Sequence, residues 1–208
     1  MNGKGAATRQ TILEHAGKFA SRLGVEGVTI GRLAVDLALS KSGLFAHFRS
    51  KEELQLQLLE YARLRFVDTV VDPAFRAPAG EERVQAIFDH WQAWPEKSAL
   101  PGGCLFAAAS FELDDRPGPV RDRLAELQGA WFASLERAAQ SAVKRGHFRS
   151  DLDVRLFAHE MYGLMLSGHL AERLLRDPDA RERTRRAFAG LMTRARAKAA
   201  ARAGRSQT

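Results

Sequence analysis

One cysteine in 208 residues, Cys104, leaves this chain unable to close an internal disulfide, so its stability rests on a packed core and a reducing compartment is expected. No run of about 18 apolar residues occurs, which argues against a membrane-spanning helix. The first ten residues, MNGKGAATRQ, lack the apolar core of a signal peptide, so a soluble, cytoplasmic protein with no membrane partner is expected. Motifs of catalysis are missing too. There is no glycine-rich phosphate loop, no His-Glu-x-x-His, no Cys/His metal spacing and no Gly-x-Ser-x-Gly elbow. His159 and Glu160 are adjacent, but neighbours on a helix do not share a face, and no second histidine follows at i+4. The expectation is no enzyme, no catalytic or metal-binding residue and no cofactor.

What remains is helix-forming material. Ala, Leu, Arg and Glu dominate, and the apolar residues recur with helical spacing, so an all-α fold of about nine helices with no convincing strand is expected. The first helix, near residues 8–23, carries Ile12, Leu13, Ala16, Phe19, Ala20 and Leu23 on one stripe and stops at Gly24. A long helix over 51–71 carries Leu54, Leu58, Leu59, Ala62, Phe66 and Val70, with Pro73 and Pro78 expected to end it. Further helices are expected over 80–94, closed by Pro95, from the PGG at 101–103 to Leu113, and over 119–145, stopped by Gly146. The last two are expected over 151–176 and 177–200, the final one with Asp177 as cap and Pro178 at its first position.

Charge is uneven along the chain. Residues 1–51 carry a balance of +5, residues 52–180 one of −6, and residues 181–208 one of +8. The basic N-terminal part suits contact with a polyanion. The basic C-terminal run, ending RARAKAAARAGRSQT, has either that use or the bland one of a solvated end.

The most informative segment is TIGRLAVDLALSKSGLFAHFRSKEE, residues 29–53. Ile30, Leu33, Ala34 and Leu37 lie on one face of a short helix with Thr29 as its N-cap. Ser40 caps the next, whose inward residues are Leu44 and Phe48, leaving Lys41, Ser42, Phe45, Ala46 and His47 on or near the outer side. Ser50 opens a Ser-x-x-Glu capping box with Glu53 beside the cations Arg49 and Lys51. Two short helices joined by a tight turn, with polar and cationic residues outward, form a DNA-reading unit.

This segment resembles the helix-turn-helix of the TetR family of bacterial transcriptional regulators. Thr29, Leu33, Ala34, Ser40, His47, Phe48, Ser50, Lys51, Glu52 and Leu54 match the family pattern in order, with Gly43, Leu44 and Phe45 aligned near its Gly-x-Leu-Tyr stretch. Two positions depart from it. Ala38 stands where the family has a turn glycine, and Phe45 replaces a tyrosine whose hydroxyl family members use on a phosphate. The resemblance implies a DNA-binding domain at residues 1–51, a helical effector-binding and dimerisation domain at 52–200 and a basic tail at 201–208. It also implies a repressor that binds double-stranded operator DNA of near-palindromic sequence as a homodimer and is released by a small apolar or aromatic effector.

Contacts to DNA are expected from Thr29, Arg32, Ser40, Lys41, Ser42, Gly43, Phe45, His47 and Lys51, with Thr29, Arg32 and Lys51 on phosphates and Lys41, Ser42 and His47 on bases. Aromatic and sulfur-bearing residues of the middle helices, Phe88, Trp91, Trp94, Cys104, Phe106, Phe111, Trp131, Met161 and Met165, are the effector-pocket candidates, although such residues more often form plain core. His90 and His169 are candidate polar additions. Leu164, Gly168, Ala171, Leu175, Phe188, Leu191, Met192 and Ala195 form stripes on the last two helices that serve either a dimer interface or the subunit's own packing. Cys104, placed at an expected helix N-terminus where the dipole favours thiolate, gives the alternative of a thiol-based sensor. A DNA-binding dimer that senses nothing is the other alternative.

Overall fold

The computed structural model describes residues 3–98 and 100–197, and these residues form nine helices. They are α1 (Gly3–Leu23), α2 (Ile30–Asp36), α3 (Lys41–His47), α4 (Lys51–Phe66, continuing through Val67–Val71 into Asp72–Arg76), α5 (Glu81–Lys97), α6 (Leu105–Leu113), α7 (Pro119–Lys144), α8 (Val154–Arg173) and α9 (Ala180–Ala195). Among the described residues the only β-type pairing is an isolated bridge between Phe148 and Arg196. Among the described residues no helix is long and apolar enough to cross a membrane.

α1, α2, α3 and the start of α4 make the N-terminal head. Ile12, Ala16 and Ala20 of α1 meet Leu33 of α2, Leu44 and Phe48 of α3, and Leu54 and Leu58 of α4 in one buried core. Leu23, expected on that stripe, is 44% exposed at the fraying end of α1. The core runs on without interruption into the body, where α4 packs on α7, α5 on α7, and α8 on both α7 and α9.

Prolines end helices later than their position implies. α4 passes through Pro73, because a π-helical stretch, Val67–Val71, lies just before it and makes room for the ring and the missing donor. Pro95 sits inside the last turn of α5, which closes only at Lys97, with the Ser98 N–H donating to the Trp94 carbonyl. At the other end of the body Asp179, not Asp177, holds the N-cap position of α9. Asp177 instead accepts from the Asp179 N–H at 3.0 Å and pairs with Arg183. α9 ends at Ala195 rather than near 200, with extended backbone at Arg196. Residues 198–208, which hold most of the basic tail, lie outside the described residues.

Candidate nucleic-acid interface and effector cavity

Three hydroxyl caps build the head. Thr29 Oγ1 accepts from the Arg32 N–H at 3.2 Å, Ser40 Oγ from the Gly43 N–H at 3.0 Å and Ser50 Oγ from the Glu53 N–H at 3.0 Å. Each occupies an orphan donor of a helix start and fixes where the next helix points. A Cβ on Gly43 would lie 3.1 Å from Ser40 Oγ, so glycine there leaves the cap undisturbed. Glu53 completes its box one residue further back than the usual pattern, accepting from the Arg49 N–H at 3.0 Å.

The outer face of α3 carries Lys41, Ser42, Phe45 and Ala46, all exposed, with His47 half-buried beside Phe48. Ser42 Oγ lies 3.1 Å from Ser40 Oγ. Arg32, also exposed, sits with its guanidinium over the Phe19 ring, 5.4 Å from the centroid. Lys51 Nζ donates to Glu26 Oε2 at 2.9 Å in a surface ion pair that leaves the lysine side chain 41% exposed. The pattern Ser-Lys-Glu gives no hint of this, because Glu26 lies 25 residues upstream.

Glu26 is a junction. Besides Lys51 it accepts from Gln55 Nε2 at 2.8 Å and pairs with Arg116 at 3.3 Å. Its carboxyl is held below the usual carboxylate range, first by the Lys51 hydrogen bond and then by that of Gln55, against the opposing effect of partial burial. Its own N–H and that of Val25 donate to the two carboxylate oxygens of Glu112, at 2.9 and 2.7 Å. Glu112 lies near the end of α6, so the body grips the loop after α1. A second grip lies just before α6, where the Gly102 N–H donates to Ser21 Oγ at 3.0 Å. A Cβ on Gly102 would fall 1.4 Å from the Ser21 carbonyl oxygen, so no other residue permits that approach.

α6 begins at a cavity of about 160 Å³. A void of about 150 Å³ holds benzene, so the space suits a molecule of one ring or a short branched chain. Arg63, Phe66, Val67 and Val71 of α4 form one wall and Trp91 of α5 another. Cys104 and Phe106 at the start of α6 face Leu127, Gln128, Ala130, Trp131 and Ser134 of α7, with Tyr162 of α8 closing the space. Phe66 organises it, meeting Trp94, Phe106 and Trp131 edge to face at 5.2, 5.8 and 4.9 Å. Gln128 Nε2 donates to Ser110 Oγ at 2.7 Å and reaches the Tyr162 hydroxyl at 2.9 Å. Burial pushes that hydroxyl up to about 12, so it remains neutral in any physiological solution.

Of the expected pocket residues, Trp91, Cys104, Phe106 and Trp131 reach the cavity wall. The others do not. Phe88 is stacked on Phe188 at 3.9 Å, Trp94 lies behind Phe66, and Met161 and Met165 are buried in the core. Phe111 is 72% exposed and faces away. Gln128, Ser134 and Tyr162 went unnoticed because polar residues spaced along helices make no motif. The thiol expectation is reversed. Cys104 does stand at the N-cap of α6, but burial pushes its thiol up by more than the nearby backbone N–H groups of Ala107 and Phe106 pull it down, so it is kept as thiol.

The stripes of the last two helices divide between the subunit's own packing and its surface. Phe188, Leu191, Met192 and Ala195 lie in the subunit's own core. Gly168 lets α9 approach, since a Cβ there would meet Thr184 Oγ1 at 2.5 Å. Leu164 and Ala171 are half-buried, while Leu156, Leu170, Leu174 and Leu175 are left exposed. His169 is half-buried, and that burial, helped by Arg173, holds its imidazole below its ordinary value.

A capped helix-turn-helix head, gripped at two points by a helical body with its own cavity, is the architecture of a DNA-binding regulator, and the sequence matches agree. Residues 12–58 match the model for bacterial regulatory proteins of the tetR family, and residues 80–188 that for the tetracyclin repressor-like C-terminal domain. The chain belongs to the TetR family. It is 26% identical over 162 residues to the HTH-type transcriptional repressor KstR2 of Mycobacterium tuberculosis, a match that covers 74% of this chain and 76% of that protein. A TetR transcriptional regulator from Chloroflexus aurantiacus superposes with a TM-score of 0.81 at 24% identity, covering 91% of this chain and 94% of that one. AibR, solved in complex with isovaleryl coenzyme A and operator DNA, superposes with a TM-score of 0.69 at 21% identity over 88% of this chain and 95% of that one.

Proposed function

We propose that this regulator is a repressor that holds a near-palindromic operator as a homodimer and lets go when a small, mainly apolar molecule fills the cavity between α4, α5, α6, α7 and α8. The observation that carries the reading is the position of α6. Cys104 and Phe106 at its start line the cavity, and Glu112 near its end holds the backbone of the loop before α2. A ligand that fits one position of α6 better than another shifts the balance between two settings of the head, by as much as its affinities for the two differ. KstR2 is a repressor by name, and AibR was solved with both an acyl thioester and operator DNA, which supports repression and ligand control here.

DNA is held by residues 1–51. Arg32 takes phosphates with the Thr29 hydroxyl, Lys41, Ser42 and His47 read base edges, and Lys51 acts chiefly by fixing the head through Glu26. Residues 52–200 bind the effector and pair the subunits. In the dimer a partner covers Leu156, Leu170, Leu174 and Leu175, and paired heads meet successive major grooves about 34–36 Å apart. The test is selection of bound sequences from random duplex DNA, followed by anisotropy titration of the winner at two salt concentrations. Recovery of a palindrome bound far more tightly than scrambled duplex is expected, and equal binding to all duplexes would sink the reading. Small aromatic and acyl compounds are then screened for release of that palindrome and for thermal stabilisation of the protein.

A further inference from the structure

We propose that the effector is a small monocarboxylate, its ring or branched chain buried between Phe66, Trp91 and Trp131 and its carboxylate held by Arg63; this rests on the effector role given to the cavity above. Among the described residues Arg63 is the one charged side chain on the cavity wall, and no Asp or Glu lines it. Its side chain is 34% exposed, whereas Trp91, Trp131 and Tyr162 are buried, so the cation stands at the opening and the aromatic end lies inside. Glu60 fixes the guanidinium there. Nε donates to both carboxylate oxygens at 2.9 Å and Nη2 to Oε1 at 2.6 Å. Nη1, with two N–H donors, has no acceptor among the described residues. Glu60 also pairs with Arg123 at 3.0 Å, so one carboxylate answers two cations. Glu126, the other partner of Arg123, is mostly exposed and screened by solvent.

The polar groups further in are satisfied among themselves. Gln128 Nε2 donates to Ser110 Oγ and meets the Tyr162 hydroxyl, and Ser110 donates in turn to the Phe106 carbonyl at 2.8 Å. Ser134 Oγ donates to the Ala130 carbonyl and accepts from Arg137. A ligand that brings no polar atom to these groups leaves none of them orphaned, so its buried part can be wholly apolar. The spare donors of Arg63 call for an acceptor, and an ionised one gains most, because charge on the acceptor roughly doubles the strength of the bond. A quaternary ammonium would find the aromatic faces it favours, but with Arg63 beside it and no acid on the wall to answer its charge. The volume limits the body to one ring or about six carbons.

The experiment measures binding to the full chain at neutral pH, by calorimetry and thermal shift, for benzoate, phenylacetate and isocaproate, their primary amides, the matching amines, and toluene. The acids are expected to bind at least about tenfold more tightly than their amides. Arg63→Gln is expected to remove that preference and leave the amides where they were, while Arg63→Lys keeps part of it. Equal melting of the ligand-free proteins checks the fold, and toluene, which needs only the apolar space, checks the cavity in each. Amides or amines that bind as well as the acids, or an Arg63→Gln variant that still prefers acids, overturn the assignment. So does a thioester of one of these acids that binds more tightly than the acid, since Arg63 would then hold its carbonyl. If toluene binds and no acid does, the carboxylate is wrong while the cavity stands. If no compound of any class binds, the effector reading of the cavity fails and this assignment goes with it.

Discussion

Ala38 holds left-handed backbone, φ 51°, in the turn between α2 and α3, a conformation that costs a residue with a Cβ about 1–2 kcal/mol. The turn keeps it because Leu39 N–H donates to the Ala34 carbonyl at 2.9 Å and Ala38 N–H to that of Val35 at 3.2 Å, closing the end of α2. Ala38→Gly is expected to stabilise the protein by about 1 kcal/mol, less a few tenths for the more mobile unfolded chain. Urea unfolding measures it, and an unchanged or lower midpoint would show that the turn does not hold the strain its angle implies. Glu26 makes a prediction in pH. Its folded carboxyl lies below its unfolded value, so the stability it adds is present at neutral pH and is lost as pH falls through the carboxylate range. Between pH 6 and pH 4 the wild type should lose more melting temperature than Glu26→Gln, and parallel losses would mean that the junction with Lys51 and Gln55 is idle.

At the scale of elements, what was legible in the sequence was what neighbours in the chain decide. Thr29, Ser40 and Ser50 announce their helices because a cap acts within three residues, and the stripes of α1 and α4 announce their buried faces by spacing. Helix ends at proline were misjudged because the π stretch before Pro73 depends on how α4 packs, not on local preference. Cavity and core looked alike for the same reason. Phe88 and Trp91 are three residues apart on α5, yet one stacks on Phe188 and the other faces the cavity, a distinction made by α9 and α7. The grip of Glu112 on Val25 and Glu26 spans 87 and 86 residues, beyond any periodicity. Glu112→Ala leaves both N–H groups without their carboxylate and is expected to cost about 1.5–3 kcal/mol. It should also blunt ligand control, so that a compound which still stabilises the protein thermally releases less DNA. Full release with unchanged dose dependence would show that α6 does not carry the signal through this contact.

The end of α8 carries an apolar surface without a role inside the subunit. Leu170, Leu174 and Leu175, at 52, 72 and 66% exposed, gather at the end of α8, and Leu156 adds 55% near its start. Two arginines of α9 are engaged elsewhere, Arg181 with Glu96 and Glu172, and Arg194 with Glu160. Exposed leucines in such number on one helix mark an interaction surface, and a two-fold partner offers the same apolar face in return. Introducing a charge by Leu174→Arg is therefore expected to shift the protein from dimer to monomer at micromolar concentration, read by light scattering, with little change in helical content because the side chain is outside the subunit's core. The same variant tests how the dimer serves DNA binding. A single head makes half the phosphate contacts of a pair, so the slope of log affinity against log salt should fall to about half, and the operator should lose its advantage over a half-site. A variant that remains dimeric, or a monomer that keeps the full slope, would move the interface elsewhere on the molecule.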